Sequence, residues 1–483
     1  MRKLAIALIC AFSITVLQGH PGCHQHPHPP PGPDSILLVM TDDQRWDTVR
    51  FMSTVMNELV AKGVTFENSF VSVPTCCPSR ASTYSGKWGH NTGVVFNRPT
   101  DDPEGGDPYN GGIVAFDNAT CIAHQMQAAG YKTAIIGKVF NSNDLFSPQV
   151  LTGWDKYATF VADGFNFFDY DMNVDGTVVH YGTAEVNYST DVIRDMALDW
   201  LDTLTDEPFF LVWTPYAPHF DVGFYDTTPA PRHVGYSTGI TFDTPSSYLE
   251  ADISDKPEWL INRQPSVTPY LLDHIDDFRY QTVDALQAVD EGLGAILDKI
   301  DQMTRTSKTM VVFTSDNGYL WGEHNIGMKG SLYEESIRVP LVIRYPTARP
   351  MNNPTAEDEL VVNVDLAPTF AEVAGQVGSW NGASLIPILE TGTAPGWRTA
   401  LLSEHWLAES TIPNILIPNL HPPIPDAAMV RTATHKLVDY QTGKDELYDL
   451  VADPYELVNV IDDPTYATVK AALETDLAAL LAE

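Results

Sequence analysis

The sequence predicts an α/β fold, with a large central mixed sheet covered by helices on both faces and a smaller C-terminal α+β domain built on an antiparallel sheet. Continuous apolar runs such as Ser35–Thr41 (SILLVMT) are typical of strands buried on both faces. Segments with helical spacing of apolar residues, such as 191–204, alternate with these runs. Beyond residue 385 the segments shorten, and 429–440 and 446–450 favour antiparallel strands.

The other elements follow in chain order. We predict strands at 133–137, 208–213 and 309–314, and helices at 49–61, 191–204, 270–303 and 464–481. Ligands of such sheets bind beyond the carboxyl ends of the strands. Two polar clusters fall there, Thr41-Asp42-Asp43 and Ser315-Asp316-Asn317-Gly318. From His219 to about residue 265 the chain is rich in Pro and aromatic residues, which is typical of a long functional loop.

The N-terminal 33 residues favour export. Arg2 and Lys3 precede an apolar run of signal length, so residues 1–19 are predicted to be a signal peptide. Residues 20–33 are dense in His and Pro and predict an extended linker, although the histidines could bind metal. We therefore expect a secreted, periplasmic or extracellular protein with a larger domain at 34–385 and a smaller one at 386–483. A lipid anchor on Cys23 is an alternative that the preceding His20 and Pro21 disfavour.

The charge is strongly negative, with 63 Asp and Glu against 28 Lys and Arg and a formal net charge of −35. Such a chain repels nucleic acid and anionic membrane surfaces, so we expect no nucleic-acid partner. After the predicted signal peptide, no stretch is long and apolar enough to predict an integral membrane segment. The acidity fits a salty or calcium-rich medium, or solubility alone.

Cysteine usage also bears on function. Cys10 leaves with the signal peptide, and an exported chain oxidises or uses the others. We predict a disulfide between Cys77 and Cys121, which leaves Cys76 single.

Cys76 opens the segment Cys76-Cys77-Pro78-Ser79-Arg80, and Gly86 follows at the end of the next turn. Pro78 suits the first turn of a helix, so Cys76 would lie at a helix N-terminus, where a developing anion is stabilised. The alternative is a helix start with a disulfide cysteine. The segment resembles the signature of the sulfatase family. The resemblance implies that a formylglycine-generating enzyme, recognising Cys76, Pro78 and Arg80, converts Cys76 to formylglycine.

The paired polar residues at the two strand ends supply three carboxylates and an amide oxygen. These are hard ligands that suit Ca²⁺ or, less well, Mg²⁺. The resemblance to sulfatases implies that Asp42, Asp43, Asp316 and Asn317 hold the metal, with the oxygen of modified Cys76 completing the shell. Taken singly, each pair could instead be a turn or a helix cap.

Four basic residues match sulfatase positions and would bind the charge of a sulfate ester. They are Arg80, Lys138, His219 and Lys329. Many sulfatases place a His two residues after the Lys138 position, where this chain has Phe140 and then Asn141; the N-acetylglucosamine-6-sulfatase branch is similar. We therefore expect His219 to protonate the leaving group. His90 resembles a structural position, and His324 could be either structural or catalytic.

These features predict a sulfuric ester hydrolase whose partner is a sulfated small molecule or glycan, either a sulfated sugar or an aryl sulfate. The net charge of −35 favours a small or terminal sulfated group over the interior of a long polyanion. One alternative is a phosphonate or phosphodiester hydrolase with the same nucleophile and metal. Another is a calcium-binding, glycan-binding protein in which Cys76 is never converted.

Overall fold

The computed structural model describes residues 34–98, 111–161, 166–221, 226–262, 269–351, 353–406 and 424–483. The predicted signal peptide (1–19) and linker (20–33) lie outside the described residues. The described residues between Asp34 and Glu483 form one compact unit, and the boundary between residues 385 and 386 stays a prediction. Within the described ranges, none of the helices combines the length and apolar character needed to cross a bilayer.

The strands and α-helices of the described ranges have the following bounds. The strands are β1 (Ser35–Thr41), β2 (Val64–Phe66), β3 (Ser69–Phe70), β4 (Lys132–Gly137), β5 (Lys156–Phe160), β6 (Tyr170–Val174), β7 (Thr177–Tyr181), β8 (Phe209–Thr214), β9 (Thr309–Ser315), β10 (Leu320–Trp321), β11 (Gly327–Met328), β12 (Leu341–Arg344), β13 (Thr355–Glu357), β14 (Val361–Val362), β15 (Ala400–His405), β16 (Ala427–Thr432), β17 (His435–Tyr440) and β18 (Glu446–Asp449). The helices are α1 (Cys76–Ser85), α2 (Gly89–Thr92), α3 (Gly112–Ala115), α4 (Ile122–Ala128), α5 (Asn143–Phe146), α6 (Ser189–Asp202), α7 (Glu258–Ile261), α8 (Pro269–Gln302), α9 (Glu334–Ile337), α10 (Leu366–Val373), α11 (Ile386–Thr391) and α12 (Ala467–Leu480).

The central sheet has ten strands in the order β13-β2-β12-β9-β1-β8-β4-β5-β6-β7. Its middle is parallel: β1 pairs with β8 and β9, and β4 pairs with β8 and β5. Strands β12, β6 and β7 run antiparallel to their neighbours. The mixed sheet confirms the predicted fold class.

Strand β1 shows how the two faces of this sheet are covered. Its alternate residues Ile36, Leu38 and Met40 pack into a core with α1, α4 and α10. Leu37 and Val39 point the other way, into a core with α6 and α8. All seven residues of β1 are buried, because helices cover both faces.

The antiparallel sheet predicted near the C-terminus is also present. It has the order β15-β16-β17-β18. Helix α12 contributes Leu473 and Leu477 to the core on one face of this sheet. The opposite face packs Met429 and Tyr448 against Leu332 and Tyr333 of the larger region.

The helix predicted at 49–61 differs in form. The chain there forms a 3-10 helix at Trp46–Phe51, a π-helical turn at Val55–Leu59 and a further 3-10 turn. The carboxylate of Asp290 on α8 accepts the backbone N–H groups of Thr54 and Val55, at 2.8 and 3.0 Å. This tertiary contact uses two backbone donors at the junction between the first 3-10 helix and the π-helical turn. Apolar spacing alone could not predict this interruption of the helix, because the contact comes from a distant segment.

Candidate active site

The carboxyl ends of the parallel strands bring the predicted acidic residues together. Strands β1 and β9 pair in register, with Thr41 beside Ser315, so the residues that follow each strand become neighbours. The backbone N–H of Asp43 donates to Asp316 Oδ1 at 3.1 Å. Asn317 Nδ2 donates to Asp43 Oδ1 at 2.6 Å. Asp43 has a φ of 65°, a left-handed conformation that is uncommon for a residue other than glycine and is typical of functional sites.

Cys76 joins this group as the first residue of α1. Its Sγ lies 3.4 Å from Asp42 Oδ1 and 4.0 Å from Asp43 Oδ1. Lys329 Nζ is 2.6 Å from the same sulfur. The helix begins where the sequence predicted, and it ends at Gly86, whose φ of 67° closes it in the left-handed conformation.

Asn363, which the sequence analysis missed, anchors α1 from the side. Its Nδ2 donates to the carbonyl of Ser79 at 2.9 Å and lies 3.1 Å from Thr83 Oγ1. An amide that bonds the backbone and side chains of a distant helix leaves no local sequence signal.

The basic residues pair with the carboxylates. The Lys138 ammonium contacts Asp42, and the Lys329 ammonium contacts Asp43. Arg80 Nε donates to Asp316 Oδ2 at 2.7 Å, and Arg80 Nη1 donates to the carbonyl of Lys138. Arg80 therefore links the residues that follow strands β9 and β4, and it also adds positive charge to the site.

Three carboxylates thus face three permanent cations. The carboxylates are those of Asp42, Asp43 and Asp316, and the cations are Arg80, Lys138 and Lys329. Arg80 and Lys138 are fully buried, whereas the Lys329 and His219 side chains each keep about 11% of their surface exposed. A ligand therefore meets this group from the side of Lys329 and His219.

The neighbours of each group set its protonation. Burial opposes the ionisation of Asp42, but Lys138 and His219 outweigh it and lower the pKa of that carboxyl to about 2. Burial, assisted by the charge of Asp42, raises the pKa of the Cys76 thiol well above its ordinary value. Cys76 as a thiol is therefore protonated at neutral pH and a poor nucleophile.

His219 presents its Nε2 atom to the cluster, 3.4 Å from Asp43 Oδ2. Its Nδ1 is 2.8 Å from the carbonyl of Phe220 and 2.8 Å from the hydroxyl of Tyr216. A proton on Nδ1 satisfies both acceptors, so Nε2 is the atom available for proton exchange. Burial lowers the pKa of His219 despite the nearby Asp43. Tyr216 was missed by the sequence analysis, although its place between β8 and His219 is a usable signal.

The arrangement fits a hard divalent cation. Asp43 Oδ2 and Asn317 Oδ1 are buried oxygens with no hydrogen-bond donor among the described residues, and each would gain a partner in a metal ion. Ligand atoms of Asp42, Asp43, Cys76 and His219 lie within 4.8 Å of one another. Carboxylate and amide oxygens are the ligands that Ca²⁺ prefers.

The structure therefore brings together all nine residues singled out for catalysis or metal binding, and their individual roles stay predictions. His90 lies apart, its Nδ1 3.0 Å from both carboxylate oxygens of Glu404. His324 belongs to a different buried group, with Nδ1 2.7 Å from Glu250 Oε2. Phe140 packs in the core against Tyr84.

The predicted Cys77–Cys121 disulfide is wrong. No disulfide joins the described cysteines Cys76, Cys77 and Cys121. Cys77 and Cys121 both pack in the apolar core beside the sheet, where a thiol behaves as a small hydrophobic group.

Sequence comparison decides the family. The sequence model described as Sulfatase matches residues 34–376, well over half of the chain. The chain belongs to the sulfatase family. It is thus a sulfuric ester hydrolase, as predicted. A second model, described as N-sulphoglucosamine sulphohydrolase, C-terminal, matches residues 322–483 of this sulfatase.

Individual relatives are distant but cover most of the sulfatase. It is 28% identical to the N-acetylglucosamine-6-O-sulfatase of Bacteroides thetaiotaomicron, over 90% of this chain and 83% of the relative. A solved structure in complex with its substrate D-glucosamine-2-N,6-O-disulfate has a TM-score of 0.74 at 23% identity, covering 92% of this chain and 97% of the other. The phosphonate monoester hydrolase of Agrobacterium radiobacter has a TM-score of 0.67 at 22% identity, covering 93% and 95%. These two structures share the fold.

Proposed function

We propose that this sulfatase hydrolyses the sulfate ester of a small or terminal sulfated amino sugar, through residue 76 after its conversion to formylglycine. One observation carries the proposal: four potential metal-ligating side chains and three cations, two of them fully buried, converge on Cys76. The raised pKa of the Cys76 thiol adds support, because an unconverted cysteine would be a weak nucleophile there.

Asp42, Asp43, Asp316 and Asn317 would hold a divalent cation, Ca²⁺ in preference to Mg²⁺. Such an ion would supply Lewis-acid polarisation of sulfate oxygens and would favour deprotonation of a neighbouring hydroxyl. The three cations already balance the three carboxylates, so an added divalent charge would leave the site positive. A positive site matches the single negative charge of a sulfate ester.

Each of these residues has a separate role in the proposed reaction. A maturation enzyme oxidises Cys76, with an external oxidant such as molecular oxygen, and exchanges its sulfur for an aldehyde oxygen. One hydroxyl of the hydrated aldehyde displaces the sugar oxygen from sulfur, and the other then reforms the aldehyde and expels sulfate. Lys138 and Lys329 neutralise charge on the sulfate oxygens. His219, in the fraction that is protonated on both ring nitrogens, donates the Nε2 proton to the departing sugar oxygen.

The choice of an amino sugar rests on likeness and charge. The relative that matches 90% of this chain is an N-acetylglucosamine-6-O-sulfatase. The net charge of −35 disfavours the approach of long polyanions at low salt. Both considerations support a short substrate with an exposed sulfate.

The test is sulfate release from glucosamine-6-sulfate, compared side by side with hydrolysis of an aryl sulfate, a phosphonate monoester and a phosphodiester. We expect the sulfated sugar to have the highest kcat/KM. The variant Cys76→Ala should lose more than about 10³-fold of this activity, because it cannot form the nucleophile. Cys77→Ala is the matched control: it changes the adjacent core thiol and should keep kcat.

Two outcomes would overturn the proposal. A higher kcat/KM on the phosphonate or phosphodiester would make the protein a phosphorus-ester hydrolase. Equal activity of wild type and Cys76→Ala would show that residue 76 is not the nucleophile.

A further inference from the structure

A second buried group of metal-ligand type lies outside the nine residues of the candidate active site. We call His324, Glu335 and Glu456 the second cluster. One ligand atom from each lies within 4.8 Å of the others. His324 Nε2 and Glu335 Oε2 are 4.0 Å apart. All three residues are buried, and His324 is completely so.

The histidine is fixed with one nitrogen turned into the cluster. Its Nδ1 lies 2.7 Å from Glu250 Oε2, and an ionised Glu250 holds the ring proton on Nδ1. Its ring stacks on Tyr333 at a centroid distance of 3.9 Å and an angle of 19°. In that form Nε2 carries the lone pair, and within the described ranges it has no hydrogen-bond partner. A carboxylate that holds the far nitrogen of an imidazole is the usual support of a metal-binding histidine.

The carboxylates of the second cluster differ in charge compensation. Glu456 Oε2 accepts the backbone N–H of Glu334 at 2.9 Å, and Glu456 Oε1 contacts the Lys436 ammonium. Among the described residues, no lysine or arginine nitrogen lies within 4.0 Å of the Glu335 carboxylate. The nearby Arg45 is already paired, 2.8 Å from Glu323 and 3.1 Å from Asp47.

Glu335 Oε2 and His324 Nε2 are therefore two buried polar atoms that face each other, and neither has a hydrogen-bond partner among the described residues. A proton shared between them would need a much shorter distance than the observed 4.0 Å. A buried polar atom without a partner destabilises the fold, and one bound cation would give both atoms a partner.

The second cluster also borders a cavity. A cavity of about 970 Å³ is lined by Arg45, Trp46, Arg338 and Tyr455, and it reaches Glu335. Of the three residues of the second cluster, Glu335 is the one that borders this cavity.

We propose that the second cluster binds one divalent d-block cation of the Zn²⁺ class through His324 Nε2 and the carboxylates of Glu335 and Glu456. One imidazole and two carboxylates are a set that Zn²⁺ accepts, with water as a fourth ligand. Such ligands lie about 2.0–2.2 Å from zinc, so side-chain shifts of less than about 1 Å would close the shell. Lys436 would keep its second carboxylate neighbour, Glu334, at 3.6 Å.

The proposed ion would have a structural role. It would tie the His324 loop to α9 and to Glu456 in the C-terminal region. Helix α9 also touches the candidate active site, because the N–H of Gly318, directly after Asn317, donates to the carbonyl of Ser336 at 2.9 Å. The ion would thus stabilise the loop that follows β9 without contacting substrate.

The test is zinc stoichiometry on full-length protein, treated with chelator and then dialysed against Zn²⁺ in excess Ca²⁺. The chain also carries histidines at 20, 24, 26 and 28, so the readout is the difference between wild type and Glu335→Gln. We expect wild type to retain one more zinc per chain. His90→Gln is the matched control: it removes another carboxylate-paired histidine and should bind as much zinc as wild type.

Equal zinc content in wild type and a folded Glu335→Gln would overturn the proposal. If that variant fails to fold, X-ray absorption of wild type loaded with one equivalent of zinc replaces it. A shell with one imidazole and oxygen ligands is expected, whereas several imidazoles or oxygens alone would overturn the proposal.

Discussion

The candidate active site and the second cluster share a layout. In each, a histidine stacks on a tyrosine, His219 on Tyr216 and His324 on Tyr333, with centroid distances of 4.8 and 3.9 Å. In each, Nδ1 lies within hydrogen-bonding distance of an oxygen atom, and Nε2 points to a carboxylate. Burial lowers the pKa of both rings, that of His324 to about 3, so both imidazoles are largely neutral at pH 7.

The two groups differ in charge compensation. Each carboxylate at the strand ends has a cation in contact, whereas Glu335 has none within 4.0 Å among the described residues. Burial and the charge of Glu323 raise the pKa of Glu335 to about 8, so a bound metal ion would take the place of the carboxyl proton. Groups of similar geometry can therefore differ in what they bind. Where each carboxylate already has a cation in contact, an added metal ion leaves the site positive and able to bind an anionic substrate. Where a carboxylate has no such cation, the metal ion itself balances its charge.

The largest expected effect comes from exchanging one carboxylate in each group for its amide. Asp43→Asn should lower kcat/KM for sulfate release by more than about 10³-fold, because Asp43 is a proposed metal ligand. Glu335→Gln should leave kcat within about threefold of wild type. Steady-state kinetics with excess Ca²⁺ checks both. Comparable losses in the two variants would break the distinction between the groups.

A second pair of variants removes the fully buried lysine that contacts one carboxylate of each group. Lys138→Met should lower kcat/KM by about 10²–10³-fold, the usual loss when one donor to developing charge is removed. Lys436→Met should spare kcat but destabilise the fold by about 3–5 kcal/mol, because it leaves Glu456 unpaired. Kinetics and denaturant unfolding separate the two results. A stability loss without a kinetic loss in Lys138→Met would assign Lys138 a structural role only.

The smallest expected effect concerns the stacked tyrosines. Tyr216→Phe removes the hydroxyl 2.8 Å from His219 Nδ1 and should lower kcat about 5–10-fold, equivalent to about 1 kcal/mol, with little change in KM. Tyr333→Phe removes a hydroxyl 2.6 Å from Glu446 and should affect only stability. An unchanged kcat in Tyr216→Phe would mean that Phe220 alone orients His219.

Much of this could be predicted from sequence, for physical reasons that particular residues show. β1 was predicted with its observed bounds, since a strand buried on both faces is uniformly apolar. The clustering of Asp42 with Asp316 followed from parallel strands ending at one edge. The role of Asp290 at the break before Val55 and the anchoring of α1 by Asn363 depend on contacts between distant segments, which local patterns do not encode. The second cluster joins residues 324, 335 and 456 and was invisible for the same reason.

Mass spectrometry of the peptide that carries residue 76 tests the proposed chemistry most directly. The protein should come from cells that contain a formylglycine-generating enzyme, and the peptide holding Cys121 serves as an internal control for unmodified cysteine. We expect residue 76 to carry the mass of formylglycine, with Cys77 and Cys121 unchanged. An intact thiol at residue 76 in protein that releases sulfate would contradict the proposed nucleophile.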